Sequence, residues 1–250
     1  MRAGDRLRPF GQRVLYYEQL PSTNDYASAV AEAGFPEGFV VLANAQTAGR
    51  GRHGRSWASP PGAGLYFSTI LHPVSAAVPL VTIAAGVAVT EGVQAATGLK
   101  CGVKWPNDVY AGGRKLAGVL AEADSVTQVI NYVVLGIGIN VMPAAYPPDV
   151  AARATSIEDQ LGRGIDRGLL LAECLASLAS RYLDLQEGRT DLVLDAWRRR
   201  AGSMLGRWVV WEAGGVEREG VAENIDSYGA LLVRTASGLE RVVSGEVRWM

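Results

Sequence analysis

Cysteine is almost absent. With two in 250 residues, Cys101 and Cys174, the chain has neither a disulfide framework nor the ligand set of a zinc site, and each thiol reads as a small buried apolar group in a reducing, cytoplasmic setting. A charge excess of one sign is missing too. Lys and Arg number 24 against 25 Asp and Glu, and a net charge of -1 argues against a protein held on nucleic acid by bulk electrostatics. The charged start, Met1 to Arg6, is followed by no apolar run of signal-peptide length, so secretion is not expected. The uncharged stretch Pro73 to Thr90 contains Ser75, Pro79 and Thr82 and is marginal for a membrane span of about 20 apolar residues; it predicts a buried helix. No GxxxxGK[ST] phosphate loop, internal repeat or low-complexity segment occurs.

What is present is concentrated in one stretch. Gln46 to Trp57 packs three glycines, three arginines and a tryptophan into twelve residues. Glycine allows unusual backbone angles and close approach to a ligand, while arginine supplies a permanent charge on a planar fork of donors. The combination reads as an anion-holding loop, and Trp57 adds a flat face on which a base can stack. A nucleotide or an acyl phosphate fits these features; a merely solvated loop or a non-specific nucleic-acid contact is the plainer alternative.

Around the loop the patterning alternates between strand and helix. Arg13 to Gln19 reads as a strand, Ser22-Thr23-Asn24 as capping residues before a helix over Tyr26 to Ala33, and Phe39 to Ala43 as a buried strand feeding the loop. Gly64 to Leu71 predicts a strand and Leu80 to Ala96 an apolar helix. Gly102 to Trp105 runs into a Pro106-Asn107-Asp108 turn, followed by Val109-Tyr110, a Gly112-Gly113 turn and Lys115 to Glu122. Val129 to Val141 reads as a strand broken at Gly136 and Gly138. Thr155 to Glu158 caps a short helix, and helices follow over Gly168 to Gln186 and Asp191 to Arg200. From Gly202 the pattern changes to four or five short strands, a small β-barrel that docks on the first domain or on a partner. The reading is therefore of two domains, 1–201 and 202–250.

Four segments taken together, Ser22-Thr23-Asn24, the Gln46 to Trp57 loop, Lys104-Trp105-Pro106-Asn107-Asp108 with Lys115-Leu116-Ala117-Gly118, and Gly136-Ile137-Gly138-Ile139-Asn140, closely resemble the biotin protein ligase family in order and spacing. The resemblance covers nearly the whole chain, including a C-terminal SH3-like β-barrel ending in Ser244-Gly245-Glu246-Val247. It implies an α+β fold, a mixed central sheet flanked by helices as in class II aminoacyl-tRNA synthetases and biotin ligases. It also implies a two-step ligase reaction in which biotin and ATP give biotinyl-5′-AMP and diphosphate, and a carrier-domain lysine then takes the biotin. With fewer residues before Ser22 than three helices need, the resemblance is to the monofunctional type without a DNA-binding domain.

Carried over by position, Lys115, Arg52 and Lys104 are the expected catalytic cations. Ser22, Thr23, Asn24, Gln46, Arg50, Gly51, Arg52, Lys115, Gly118 and Gly136 are the expected biotin contacts. Arg50, Arg52, Trp57, Asn107 and Asn140 are expected on ATP or the adenylate, with Trp57 stacking on adenine. Asp108 is the candidate carboxylate for Mg2+ on the phosphates. The expected partners are biotin, ATP and a biotin carboxyl carrier protein or domain, with no specific nucleic acid, no membrane, and a monomer or homodimer left open. The alternatives are a lipoate or octanoate ligase or transferase of the same superfamily and, more weakly, a nucleic-acid-binding module.

Overall fold

The computed structural model of the chain describes residues 6–11, 13–126, 129–143, 146 and 148–250. In chain order the elements before residue 202 are β1 (Val14–Leu20), α1 (Thr23–Glu32), β2 (Val40–Gln46), β3 (Gly64–Leu71), α2 (Val81–Thr97), β4 (Gly102–Lys104), β5 (Asp108–Ala111), β6 (Arg114–Val126), β7 (Val129–Asn140), α3 (Pro148–Ala151), α4 (Ile157–Leu161), α5 (Arg167–Gln186) and α6 (Thr190–Ala201). The seven strands form one mixed sheet in the order β1-β2-β3-β7-β6-β5-β4, in which β1 and β2 are parallel and every other neighbouring pair is antiparallel.

Successive side chains in a strand point to opposite faces, so residue parity decides which face each serves. On β7 the odd positions Val133, Leu135, Ile137 and Ile139, with Phe67 and Leu71 of β3, enter the larger core. There they meet α2, α5 and α6 through residues such as Val87, Leu178 and Trp197. The even positions Tyr132 and Val134 join Ile70 and the Ala27 of α1 in a smaller cluster on the opposite face. On that second face β7 then changes chemistry to Gly136, Gly138 and Asn140. The space left by the missing side chains is where the site lies.

Local sequence explains the helix ends. Ser22 caps α1 by accepting from the Asp25 backbone N–H at 3.4 Å, Ser156 caps α4, and Asp166 caps α5 by accepting from Leu169 N–H. Gly98, at φ 80°, closes α2. The segment Ser75–Thr97 is long and apolar enough by length and composition to cross a membrane, but 72% of its most apolar window is buried inside the protein, which fits the expectation of a core helix.

The C-terminal residues form β8 (Trp208–Ala213), β9 (Val216–Ile225), β10 (Leu231–Thr235), β11 (Gly238–Val242) and β12 (Val247–Trp249), an antiparallel sheet in the order β11-β10-β9-β8-β12. It rests on the first sheet's layer at specific points. The buried Trp105 indole N–H donates to Gly229 O at 2.8 Å, and Arg198 of α6 donates to Asn224 Oδ1 and Ile225 O.

Several expectations need correction. Helix α1 begins at Thr23, so Thr23 and Asn24 are first-turn residues and only Ser22 is the cap. Strand β7 is unbroken through Gly136 and Gly138, because β3 and β6 hydrogen-bond to it on both sides. Strand β6 runs on past Glu122 to Val126, and β12 was not legible as a strand of its own.

Candidate active site

The glycine and arginine loop leaves the end of β2 and folds across the even face of β6 and β7, enclosing a cleft of about 980 Å³. The loop holds its own shape. Gly51 N–H donates to Arg55 O, Trp57 N–H to Gly49 O, and His53 adopts φ 55° beside Gly54 at φ 71°. Its Trp57 indole packs on the sheet where Gly118 of β6 and Gly138 of β7 are paired in register. A Cβ at Gly138 would fall inside the indole, and one at Gly118 would sit 3.0 Å from it. The two glycines thus serve as a seat for the tryptophan. Gly136 is filled in a different way, since its missing Cβ makes room for the Asn24 amide.

A polar chain forms one end of the cleft. Gln46 Oε1 accepts from Thr23 N–H at 2.8 Å and lies 3.1 Å from the Thr23 hydroxyl, while its Nε2 donates to Ser59 Oγ at 2.8 Å. The buried Ser68 hydroxyl is 2.8 Å from Thr23 Oγ1 and 2.6 Å from Asn24 Oδ1, and Asn24 Nδ2 donates to Glu122 Oε2 at 2.6 Å. Ser22, Thr23 and Asn24, first read as capping residues, therefore all line the cleft. Ser59, Ser68 and Glu122 hold these lining residues and Gln46 through hydrogen bonds and were not foreseen.

The other end is cationic. Lys115 Nζ lies 2.6 Å from Asp108 Oδ1 and 5.3 Å from the centroid of the Trp57 ring. The lysine is held in place by its backbone, which donates to Arg153 O and accepts from Thr155 N–H. Arg52 Nη1 donates to Asn107 Oδ1 at 3.3 Å, and Asn107 Nδ2 is tied back to Val119 O at 2.7 Å. Lys104 approaches the Tyr110 hydroxyl at 3.4 Å and lies over its ring. Burial lowers Arg52 and Lys104 from their ordinary values, with Asp108 opposing the shift in both and Lys115 adding to it in Lys104. Burial also pushes the Tyr110 phenol up to about 12, so it is a neutral neighbour.

Arg50 behaves differently from Arg52. Its guanidinium is gripped by Asp25 and by Glu122, the latter at 2.6 Å, so it presents no free charge to the cleft. Asn140 is buried on the same face, its Nδ2 donating to Thr155 O at 3.0 Å, and it lines the cleft beside Trp57. The C-terminal sheet closes the rim with Glu246, which pairs with Arg55 of the loop, and with Trp249.

The fit of a magnesium ion can be judged from the acidic groups. No cluster of three or more His, Cys, Asp or Glu residues that could cage a metal occurs among the described residues. Asp108 Oδ1 is taken up by the Lys115 ammonium at 2.6 Å, and its carboxylate has further lone pairs to offer. One carboxylate with spare acceptor capacity suits an ion carried mainly by phosphate oxygens and water. The thiols play no part, since burial pushes both Cys101 and Cys174 up to about 12.

Taken together, the cleft offers a group of short polar donors and acceptors, a stacking ring, and three cations around a carboxylate that lies close to that ring. Such a site can hold a small polar ring, a base and a run of anionic groups together.

Comparison with known proteins agrees with that chemistry. Residues 16–140 match the model of the biotin/lipoate A/B protein ligase family, and residues 205–248 match that of the biotin protein ligase C-terminal domain. The bifunctional ligase/repressor BirA of Bacillus subtilis is 35% identical over 99% of this chain and 77% of its own length. The biotin--[acetyl-CoA-carboxylase] ligase of Mycobacterium tuberculosis is 36% identical over 92% of this chain and 86% of its own. Among solved structures, the biotin protein ligase of Aquifex aeolicus in complex with biotin and ATP superposes with a TM-score of 0.78 at 27% identity, over 96% of this chain and 99% of that one.

Proposed function

The chain belongs to the biotin/lipoate A/B protein ligase family, and on that premise we propose how its residues share the work of the reaction. It is an ATP-dependent ligase that activates biotin as biotinyl-5′-AMP and transfers it to a carboxylase. The observation that carries the residue-level account is the cleft that brings a polar pocket, a stacking indole and a cationic cluster together.

In the first step a carboxylate oxygen of biotin attacks the α-phosphorus of ATP, and diphosphate leaves. Two anions must meet, so their repulsion has to be cancelled where the charge develops. Lys115 stands at the junction as the leading catalytic cation, with Arg52 and Lys104 on either side. Asn107 orients Arg52. Asp108 is the carboxylate that would hold a magnesium ion on the phosphates, where the ion would supply further charge neutralisation. The Lys115–Asp108 ion pair then keeps the lysine placed until the anions take it over.

At the polar end, Ser22, Thr23, Asn24 and Gln46 would receive the ureido ring of biotin. The second Nε2–H of Gln46 remains available after Ser59 takes the first. Trp57 would stack on adenine, and Asn140, able to pair with an adenine edge through donor and acceptor, would read it. Gly51 lets backbone approach the adenylate, while Gly118 acts through the Trp57 ring it seats and Gly136 through Asn24. In the second step the amine of a lysine on a carrier domain attacks the acyl carbon, AMP leaves with the C–O electron pair, and the amine loses its proton. We place this carrier, a biotin carboxyl carrier domain such as that of acetyl-CoA carboxylase, at the open side of the loop. The chain divides into a catalytic part over 1–201 and an SH3-like part over 202–250, and its place of action is the cytoplasm.

The test is transfer of radiolabelled biotin to a purified carrier domain in the presence of ATP and magnesium. Labelling of the carrier lysine by biotin, and not by lipoate or octanoate, is expected. Transfer of lipoate or octanoate in preference to biotin would overturn the substrate assignment.

A further inference from the structure

Glu122 has no place in the chemistry above, yet one of its oxygens joins two parts of the cleft. Glu122 Oε2 accepts from Asn24 Nδ2 at 2.6 Å and from Arg50 Nη2 at 2.6 Å. Asn24 belongs to the polar pocket and Arg50 to the loop. From Asn24 the hydrogen bonds continue through the Ser68 and Thr23 hydroxyls, the Thr23 backbone N–H, Gln46 and Ser59 to the carbonyl of Trp57, at the far end of the same loop. The loop is therefore fastened at both ends to one polar chain that runs under the pocket.

The orientation of this chain is fixed. The Glu122 carboxylate can only accept, so Asn24 turns its amide nitrogen to it and its Oδ1 to the Ser68 hydroxyl. Register supplies the reason Glu122 is present: it shares the even face of β6 with Gly118 and is paired with Val134, one step along the face from the Leu120–Gly136 pair. Arg50 forks between Glu122 and Asp25, whose side chains are 38% and 48% exposed. Ion pairs this exposed are individually weak, which suits a fastening that must open and close.

Building on the biotin-adenylate reading, we propose that Glu122 is a positioning residue that couples filling of the polar pocket to closure of the loop. A ring held by Thr23, Asn24 and Gln46 would stiffen the chain, hold Glu122 on Arg50, and keep the loop over the adenylate until the carrier lysine arrives. Without Glu122 the adenylate would still form, but water would reach its anhydride or the adenylate would escape.

The experiment measures AMP released per biotin transferred to the carrier domain, together with trypsin cleavage at Arg50, Arg52 and Arg55 with biotin and ATP present. The ratio is internally normalised, so a variant that is merely less well folded does not raise it. Glu122→Ala is expected to raise the ratio about fivefold or more over wild type and to abolish protection from trypsin. Glu122→Gln, whose amide oxygen can still accept from Asn24 and Arg50, is expected to fall between the two. If Glu122→Ala does not fold, Asp25→Ala loosens the same arginine from its exposed side and is expected to shift both readouts in the same direction. A ratio and a cleavage pattern equal to wild type in the variant would overturn the proposal. Failure of the wild-type chain to release diphosphate in response to biotin would instead overturn the functional reading on which it rests.

Discussion

At the scale of single residues the cationic end of the cleft is a balance between burial and opposite charge. Lys104 is the clearest case, because burial lowers it and the nearby Asp108 and Glu246 only partly offset that. Between its folded value and the ordinary lysine value, the unfolded chain binds more protons than the folded one, so this lysine makes stability rise with pH across that window. Activity should move the opposite way, since the positive charge is lost as the pH passes the folded value upward. Diphosphate release driven by biotin is expected to fall on the alkaline side below the ordinary lysine value of about 10.4, and Lys104→Arg is expected to move that limb upward. A limb that stays in place in the arginine variant would assign it to another group.

Legibility at this scale followed chemistry more than position. Arg52 and Trp57 stood out because their residue types are unusual in such a run, and Lys115 through the family resemblance of its segment. Ser59, Ser68 and Glu122 did not, since a serine or glutamate in a strand is ordinary on its own. The available signal was parity: Gly118, Leu120 and Glu122 alternate with Leu116, Ala117 and Val119, three residues of the larger core, after a register shift near the start of β6. Arg50 and Arg52 look equivalent in the sequence and are not, because only the fold brings Asp25 and Glu122 onto Arg50.

At the scale of elements, the two glycine positions on β7 do separate jobs. Gly138 seats the Trp57 ring and Gly136 seats the Asn24 amide. Adding a methyl group at each should therefore disturb different substrates. Gly138→Ala is expected to raise KM for ATP roughly tenfold, about 1.4 kcal/mol, with a smaller change for biotin. Gly136→Ala is expected to do the reverse by a similar factor. Steady-state kinetics with each substrate varied in turn would check this, and equal effects of both variants on both substrates would contradict the division.

Most strands and helices could be read from apolar periodicity, which is why β3 and α5 lie close to where the sequence puts them. The errors came where tertiary contacts outweigh local preference. Glycine inside an apolar run suggests a break, but in β7 the absent side chains are replaced by Trp57 and Asn24 from elsewhere in the chain. Strand β12 is three residues long and is defined by its pairing with β8, which no local pattern reveals.

At the scale of the whole molecule, the small C-terminal sheet was expected to dock on the first domain or a partner, and it meets Trp105, a residue that lines the cleft. Trp105 stands between Lys104 and the Pro106-Asn107-Asp108 turn, and its indole reaches Gly229 O across the contact. Glu246 meets the loop from the other side through Arg55. Cations, loop and C-terminal sheet are thus parts of one enclosure, which explains why the four sequence segments carry meaning together and little separately. Closure of that enclosure around Lys115 and Arg52 is the central claim. Its most direct measurement is biotin-dependent exchange of labelled diphosphate into ATP, which reads the first chemical step without the carrier. Lys115→Ala and Arg52→Ala are each expected to lose about a hundredfold or more, on the order of 3 kcal/mol of transition-state stabilisation. Exchange at the wild-type rate in both variants would contradict the account.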